Sequence, residues 1–438
     1  MGQAVTKNSG NEIGFWRGWS IAVGCAIGSG VFMMPTLLAP YGLLGLMGWL
    51  TAGAGTLLVA LSLSRLVRRI PKLGGPYAYV QAGLGDLAGF LIAWTYWIAC
   101  IAAVSGIAIA FVGYLGVLIP AVTASSMASL IVALVLVWTV IGINVRSISG
   151  SGAFQVITTV LKILPLLFVI GLGFVNMDSA NLPPVNPTEM HPVALLAAVT
   201  TIVMWSFIGI ETATVPADNI ANPETTIPRI LIAALFTVLT IYLLVSIAIA
   251  LLVPAHELEN SAAPFALAAT KVMGPLGGAV ITVGALISTL GSLNANTLTA
   301  GQVPVAAAKD GLLPAKFLTL SASGTPVFSF LVAGTFISIL LMLNYTKGLV
   351  AAFTFMAMLS TLSTLMAYAF CAVAEFYFLK GDAKTRSRTR AIILASAAFL
   401  YSFFAIWGAG AEIVLYSFLL ILIGMPFYAL VRKDPEKS

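Results

Sequence analysis

Charge is scarce in this 438-residue chain. Asp, Glu, Lys and Arg make up 8% of it, against about 25% in an ordinary soluble domain. So little charge cannot clothe a water-facing surface when 60% of the residues are hydrophobic and the mean hydropathy is +1.04. Histidine is rarer still, with only His191 and His256, and the three cysteines, Cys25, Cys100 and Cys371, lie far apart inside apolar stretches. That spacing excludes a disulfide framework and a paired-cysteine metal site, so the thiols read as small buried hydrophobes. A membrane-embedded enzyme would need a clustered nucleophile, base or metal set, and no such cluster is spelled here. Nor does a repeated filter segment or a ring of charges mark a channel, although a single chain can hide one. Residues 1–12 are polar and no cleavage site follows a short apolar run, so no signal peptide is expected.

What the chain does have is long apolar runs. A membrane-crossing helix needs about 20 mostly apolar residues. Marked off on that length, the sequence predicts about twelve spans, over 14–40, 43–67, 84–119, 125–145, 153–176, 192–217, 228–253, 275–305, 326–344, 349–379, 391–409 and 411–431. Uninterrupted runs suit helices rather than the alternation of a barrel, so the fold class is an all-α polytopic membrane protein. The net charge of +6 matters for where it lies and implies no nucleic-acid partner. Arg65, Arg68, Arg69 and Lys72 follow span 2, Arg146 follows span 4 and Arg229 follows span 6. Lys309 and Lys316 follow span 8, and Lys380, Lys384, Arg386, Arg388 and Arg390 follow span 10, while Arg432, Lys433 and Lys437 form the tail. All these loops share one side only if both termini are cytoplasmic, as the positive-inside rule then requires. Residues 1–13 and 432–438 are the expected cytoplasmic tails. Asp178, Glu189, His191, His256, Glu257 and Glu259 would face outside, and the breaks near 177–191, 218–227, 254–264, 306–325 and 380–390 read as loops.

Within span 1 the stretch GCAIGSGVFMMP, residues 24–35, puts three glycines and a serine where a helix would run unbroken. Five spans later TIVMWSFIGIETATVPADN, 201–219, places Gly209 mid-span with Glu211 beside it and Pro216 downstream. Two interrupted spans at matching places suggest two five-span inverted repeats, 14–176 and 192–379, with spans 11 and 12 over 391–431 outside them. If the first helix unwinds at Gly28-Ser29-Gly30, freed backbone N–H groups form a positive nest suited to a carboxylate. The alternative is close helix packing through small residues. Two ionisable residues lie well inside spans, Lys162 and Glu211, and a charge there faces a cavity or a partner. Glu211 is a candidate for an ammonium or a proton, and Lys162 for a proton-coupled cation, against the alternatives of a structural pair and a snorkelling lysine. Glu375 lies near the cytoplasmic end of span 10 and reads as an anchor. Trp205, four residues before Gly209, is a candidate aromatic lining.

Together, GCAIGSGVFMMP, PKLGGPYAYV, YWIAC, WSFIGIETATVPADNIANPETTIPR and AGQVPVAAAKDGLLP resemble the amino acid–polyamine–organocation superfamily. The likeness runs from about residue 14 to 430 and is closest to bacterial basic amino acid/polyamine antiporters of the arginine/agmatine kind. The resemblance implies a LeuT-like five-plus-five fold with discontinuous helices 1 and 6, in a bacterial inner membrane. It implies alternating access around a central site between spans 1, 3, 6, 8 and 10. It also implies a substrate-binding set of Cys25, Ile27, Gly28, Ser29, Gly30, Ala99, Cys100, Trp205, Ile208, Gly209 and Asn296, with Trp205 as gate. Glu211 and Lys162 are the proton-coupling candidates. The implied partners are an amino acid or its decarboxylated amine, protons and membrane lipid, with a homodimer left open and no cofactor or metal. Cys25 and Val104 stand where the antiporters have asparagines, and Asn296 where they have a pocket tryptophan; Lys162 is the lysine of some proton-coupled members. Two functions therefore stay open: amino acid/amine antiport, and proton symport of small or neutral amino acids.

Overall fold

A computed structural model describes residues 14–70, 75–146, 152–209, 223–321, 324–380 and 385–431. Among them every regular element is helical. The first expected span is two helices, α1 (Phe15–Ala26) and α2 (Ser29–Leu38), followed by α3 (Gly42–Arg69). A short α4 (Pro76–Leu84), absent from the sequence expectation, leads into α5 (Asp86–Leu118). Gly85 makes that corner at φ 90°, a left-handed conformation that glycine adopts without strain. Asp86 then stands in the first turn of α5, where a negative charge suits the helix N-terminus. The chain continues through α6 (Ser126–Arg146), α7 (Gly152–Val175), α8 (Pro192–Met204) and α9 (Pro223–Leu252). A single turn, α10 (Ala255–Leu258), occupies part of the stretch read as a loop. Next come α11 (Pro264–Lys309), α12 (Val327–Asn344), α13 (Leu349–Leu379), α14 (Thr385–Gly408) and α15 (Ala411–Val431).

Each of the twelve expected ranges contains described helix, although in the range 192–217 the helix ends at Met204 and residues 210–217 lie outside the described residues. Two further differences are informative. The 46 residues of α11 are bent at Gly274, φ 70°. Pro275 starts the second arm there, which explains why the apolar pattern begins at 275 while the helix begins at 264. The other difference is that α14 starts inside the predicted 380–390 loop. Nine stretches of the described residues are long and apolar enough to cross a membrane, and the described parts of α7 and α8 are shorter apolar helices.

Burial orders the bundle. The apolar window of α5 is 89% buried, against 28% for α14 and 17% for α15, so α5 is the central post and the last two helices are peripheral. Around α5 pack α11 and α13, while α3 packs on α8 and α9, and α1 packs on α9 and α7. At one end the Tyr77 phenol of α4 donates to Asp310 just past α11, at 3.1 Å. Burial and then the Asp310 carboxylate hold that phenol above its usual pKa, so it stays a donor at neutral pH.

Candidate functional site

The backbone comes apart where the glycines predicted. After Ala26 the chain is extended at Ile27 (φ −75°, ψ 99°) and Gly28 (φ −142°, ψ −150°), and α2 begins at Ser29. A broken helix leaves carbonyls at one new end and N–H groups at the other without intrahelical partners. The carbonyl end is provided for. The Tyr242 hydroxyl of α9 donates to the Ala26 carbonyl at 2.8 Å, and Lys162 Nζ of α7 donates to the Gly24 carbonyl at 3.2 Å. The N–H end is different: no side chain caps α2. Ser29 is nonetheless buried at 2% exposure, so an uncapped helix N-terminus with its partial positive charge points into the protein interior.

The second interrupted segment meets the first. Helix α8 stops at Met204, and residues 205–209 form turns in which Phe207 N–H bonds the Met204 carbonyl at 3.0 Å. Gly209 follows at φ 107°, a left-handed position that glycine tolerates. A Cβ on Gly30 would lie 2.7 Å from Ser206 Oγ, 3.0 Å from Ser206 Cα and 3.0 Å from Trp205 Cδ1. The two breaks therefore touch, and only glycine fits at position 30. On the α11 side, a Cβ on Gly28 would lie 2.7 Å from Ser292 Oγ. The Trp205 indole is 8% exposed and meets Phe353 of α13 edge-on, 6.1 Å between centroids. Its far edge lies against Gly106 of α5.

Ala99 and Cys100 are buried on α5, and Ser360 of α13 donates to the Ala99 carbonyl at 2.8 Å. Asn296 is half-buried and donates to its own helix at the Ser292 carbonyl, 2.9 Å. Ile208 and Gly209 are half-buried in the turn after α8. The side chain of Cys25 and the whole of Glu211 lie outside the described residues. Lys162, 6% exposed, stands between α1 and α11: besides Gly24, its Cε would be 3.5 Å from a Cβ on Gly291. Among the described residues no group of three His, Cys, Asp or Glu could hold a metal. Sequence reasoning did not find Tyr242, Ser292, Ser206 or Ser360. Only Ser206 carried a signal, as a polar residue at membrane depth beside Trp205.

Comparison with known proteins finds likeness over nearly the whole chain. A family model described as amino acid permease matches residues 13–431. The putrescine transporter PotE of Haemophilus influenzae is 26% identical over 432 residues, covering 96% of this chain and 97% of that protein. An arginine/ornithine antiporter of Pseudomonas aeruginosa is 29% identical, covering 95% of this chain and 90% of that protein. One from Latilactobacillus sakei is 27% identical over 436 residues, 97% of this chain and 91% of that protein.

Proposed function

The chain belongs to the amino acid permease family, whose members are transporters and not enzymes, and from that premise we propose that it exchanges an amino acid for its decarboxylated amine by alternating access. The proposal includes twelve spans in a bacterial inner membrane, two five-helix inverted repeats, and both termini on the cytoplasmic side. One observation carries it. At the first break the carbonyls have protein donors, whereas the N-terminus of α2 has no side-chain cap and is buried. That asymmetry leaves a place for an anion, and the carboxylate of an amino acid fits a helix N-terminus. Trp205 is the lid over it, with Ile27, Gly28, Ser29, Gly30, Ile208 and Gly209 along the two breaks and Ala99, Cys100 and Asn296 on the wall. A relative named for putrescine transport and others named for arginine/ornithine antiport support basic substrates, an amine in the first case and two amino acids in the second. Glu211 is then the acid that responds to pH.

A second reading is favoured by Lys162. Its buried ammonium on the Gly24 carbonyl puts a titratable cation against the broken helix, which suits proton-driven uptake of a small or neutral amino acid. The two are separated in proteoliposomes, using labelled amino acids and amines with loaded or empty lumens and with or without an acid-outside gradient. Antiport requires uptake only into loaded vesicles. Gradient-driven uptake into empty vesicles overturns it in favour of symport.

A further inference from the structure

We infer that Ser206 is a substrate-binding residue whose hydroxyl donates to the substrate carboxylate at the N-terminus of α2. The inference rests on the reading of that N-terminus as the carboxylate site. Ser206 is 2% exposed, and its Oγ has no hydrogen-bond partner among the described residues. A buried hydroxyl without a partner costs stability, so its persistence calls for something that supplies an acceptor.

The local backbone explains why this hydroxyl is spare. Several buried serines and threonines in the helices around it return their proton to the carbonyl four residues back: Thr201 to Ala197, Thr289 to Ala285 and Ser292 to Ser288. Ser288, Thr297 and Thr361 share the unpartnered state of Ser206, at positions inside the helices. Ser206 lies past the end of α8, in the turn whose own N–H reaches Val203, and makes no such bond. Its position explains what the proton can serve. Oγ stands 2.7 Å from where a Cβ on Gly30 would be, against the first turn of α2. Across the break, Ser292 Oγ presses on Gly28 in the same way, but its proton is already given to Ser288. Among the described residues the second broken span thus places a hydroxyl with no protein acceptor beside the α2 N-terminus, next to Ser29 of α2 itself.

A carboxylate placed there accepts from the N–H groups of α2 and from Ser206 together, and the bond to a charged acceptor is a strong one. A decarboxylated amine has nothing for the hydroxyl to donate to. Ser206 therefore favours the amino acid over the amine, because a site built to pair a polar group penalises the ligand that lacks it.

The test uses the purified full-length protein in nanodiscs. Equilibrium binding is measured for the standard amino acids and ornithine, each beside its decarboxylated amine, with wild type, Ser206→Ala and Ser206→Cys. Ser206→Ala is expected to weaken the amino acid about tenfold and the amine less than twofold. Ser206→Cys, a weaker donor, is expected to fall between. The melting temperature without ligand should hold or rise in Ser206→Ala, since no protein partner is lost. Equal weakening of acid and amine, no weakening, or a lower melting temperature in the ligand-free variant overturns the role for Ser206. A wild type that binds amines but no amino acid overturns the carboxylate reading itself.

Discussion

Trp205 is held from three sides, by Gly30 of α2, Gly106 of α5 and Phe353 of α13. Its ring belongs to the buried core cluster, and in the proposed function it is the lid over the site. Trp205→Leu keeps an apolar plug but removes the flat face and the edge contact with Phe353, which such pairs make worth about 0.5–1.5 kcal/mol beyond area. Substrate affinity is expected to fall at least about tenfold, with a smaller change in folding, and binding to purified variants of equal expression checks it. Undiminished affinity removes Trp205 from the site. Lys162 poses a different question, because it serves the fold and is a candidate for coupling through the same atom. Lys162→Ala takes the Nζ donor from the Gly24 carbonyl, and a buried acceptor left bare costs about 1–3 kcal/mol. If the ammonium couples transport to protons, the variant loses gradient dependence while exchange between loaded vesicles persists. Loss of both activities together with a lowered melting temperature would make Lys162 the brace of α1.

At the level of elements, the end of α3 is stapled to the end of α13. Ser62, Arg65 and Arg69 fall at i, i+3 and i+7, one face of a helix. They meet Glu375 and the Phe378 carbonyl, again three apart. Arg65 Nε lies 2.7 Å from Glu375 Oε1, Ser62 donates to the other carboxylate oxygen, and Arg69 donates to the Phe378 carbonyl at 3.2 Å. The side chains differ in access to water: Glu375 is 0% exposed and Arg65 25%. Breaking a buried pair from one side costs about 3–5 kcal/mol, mostly for the charge left behind. Arg65→Ala strands a carboxylate with no route to water. Glu375→Ala strands a guanidinium that can turn outward. Arg65→Ala is therefore expected to be the more destabilising, and the double variant less destabilising than Arg65→Ala alone. Thermal unfolding of the three purified proteins decides it. Simple addition of the two single losses would mean that the pair is not coupled.

For the whole molecule, what could be read in advance divides by range of interaction. The helices and the first break were legible because long apolar runs and Gly28-Ser29-Gly30 are local signals, whereas α4 was not foreseen, since PKLGGPYAYV entered only as a family motif. The partners of the break were not. Tyr242 is 216 residues from Ala26 and Lys162 is 138 from Gly24, and Glu375 looked like an end-of-span anchor because its burial is made by α3. Orientation sits between these cases, being a global property written in local charge. The contacts Arg69–Phe378 and Tyr77–Asp310 gather the ends of α3, α4, α11 and α13, and with them Arg65, Lys309 and Lys380, at one end of the bundle. The far end holds the 176–191 stretch, whose Asn181 donates to Leu251 and whose Pro184 carbonyl receives the Leu43 N–H. Lys271 there is neutralised by Glu257 at 2.6 Å. Lys and Arg are retained on the cytoplasmic side, so the first end is expected inside. Ser179 and Thr319 are exposed at opposite ends, and Cys100 and Cys371 are buried, so a background in which Cys25 is replaced, Cys25→Ala, serves as the blank. In intact cells a membrane-impermeant maleimide is expected to label Ser179→Cys and to reach Thr319→Cys only after lysis. The reverse pattern would turn the chain over and put its basic end outside.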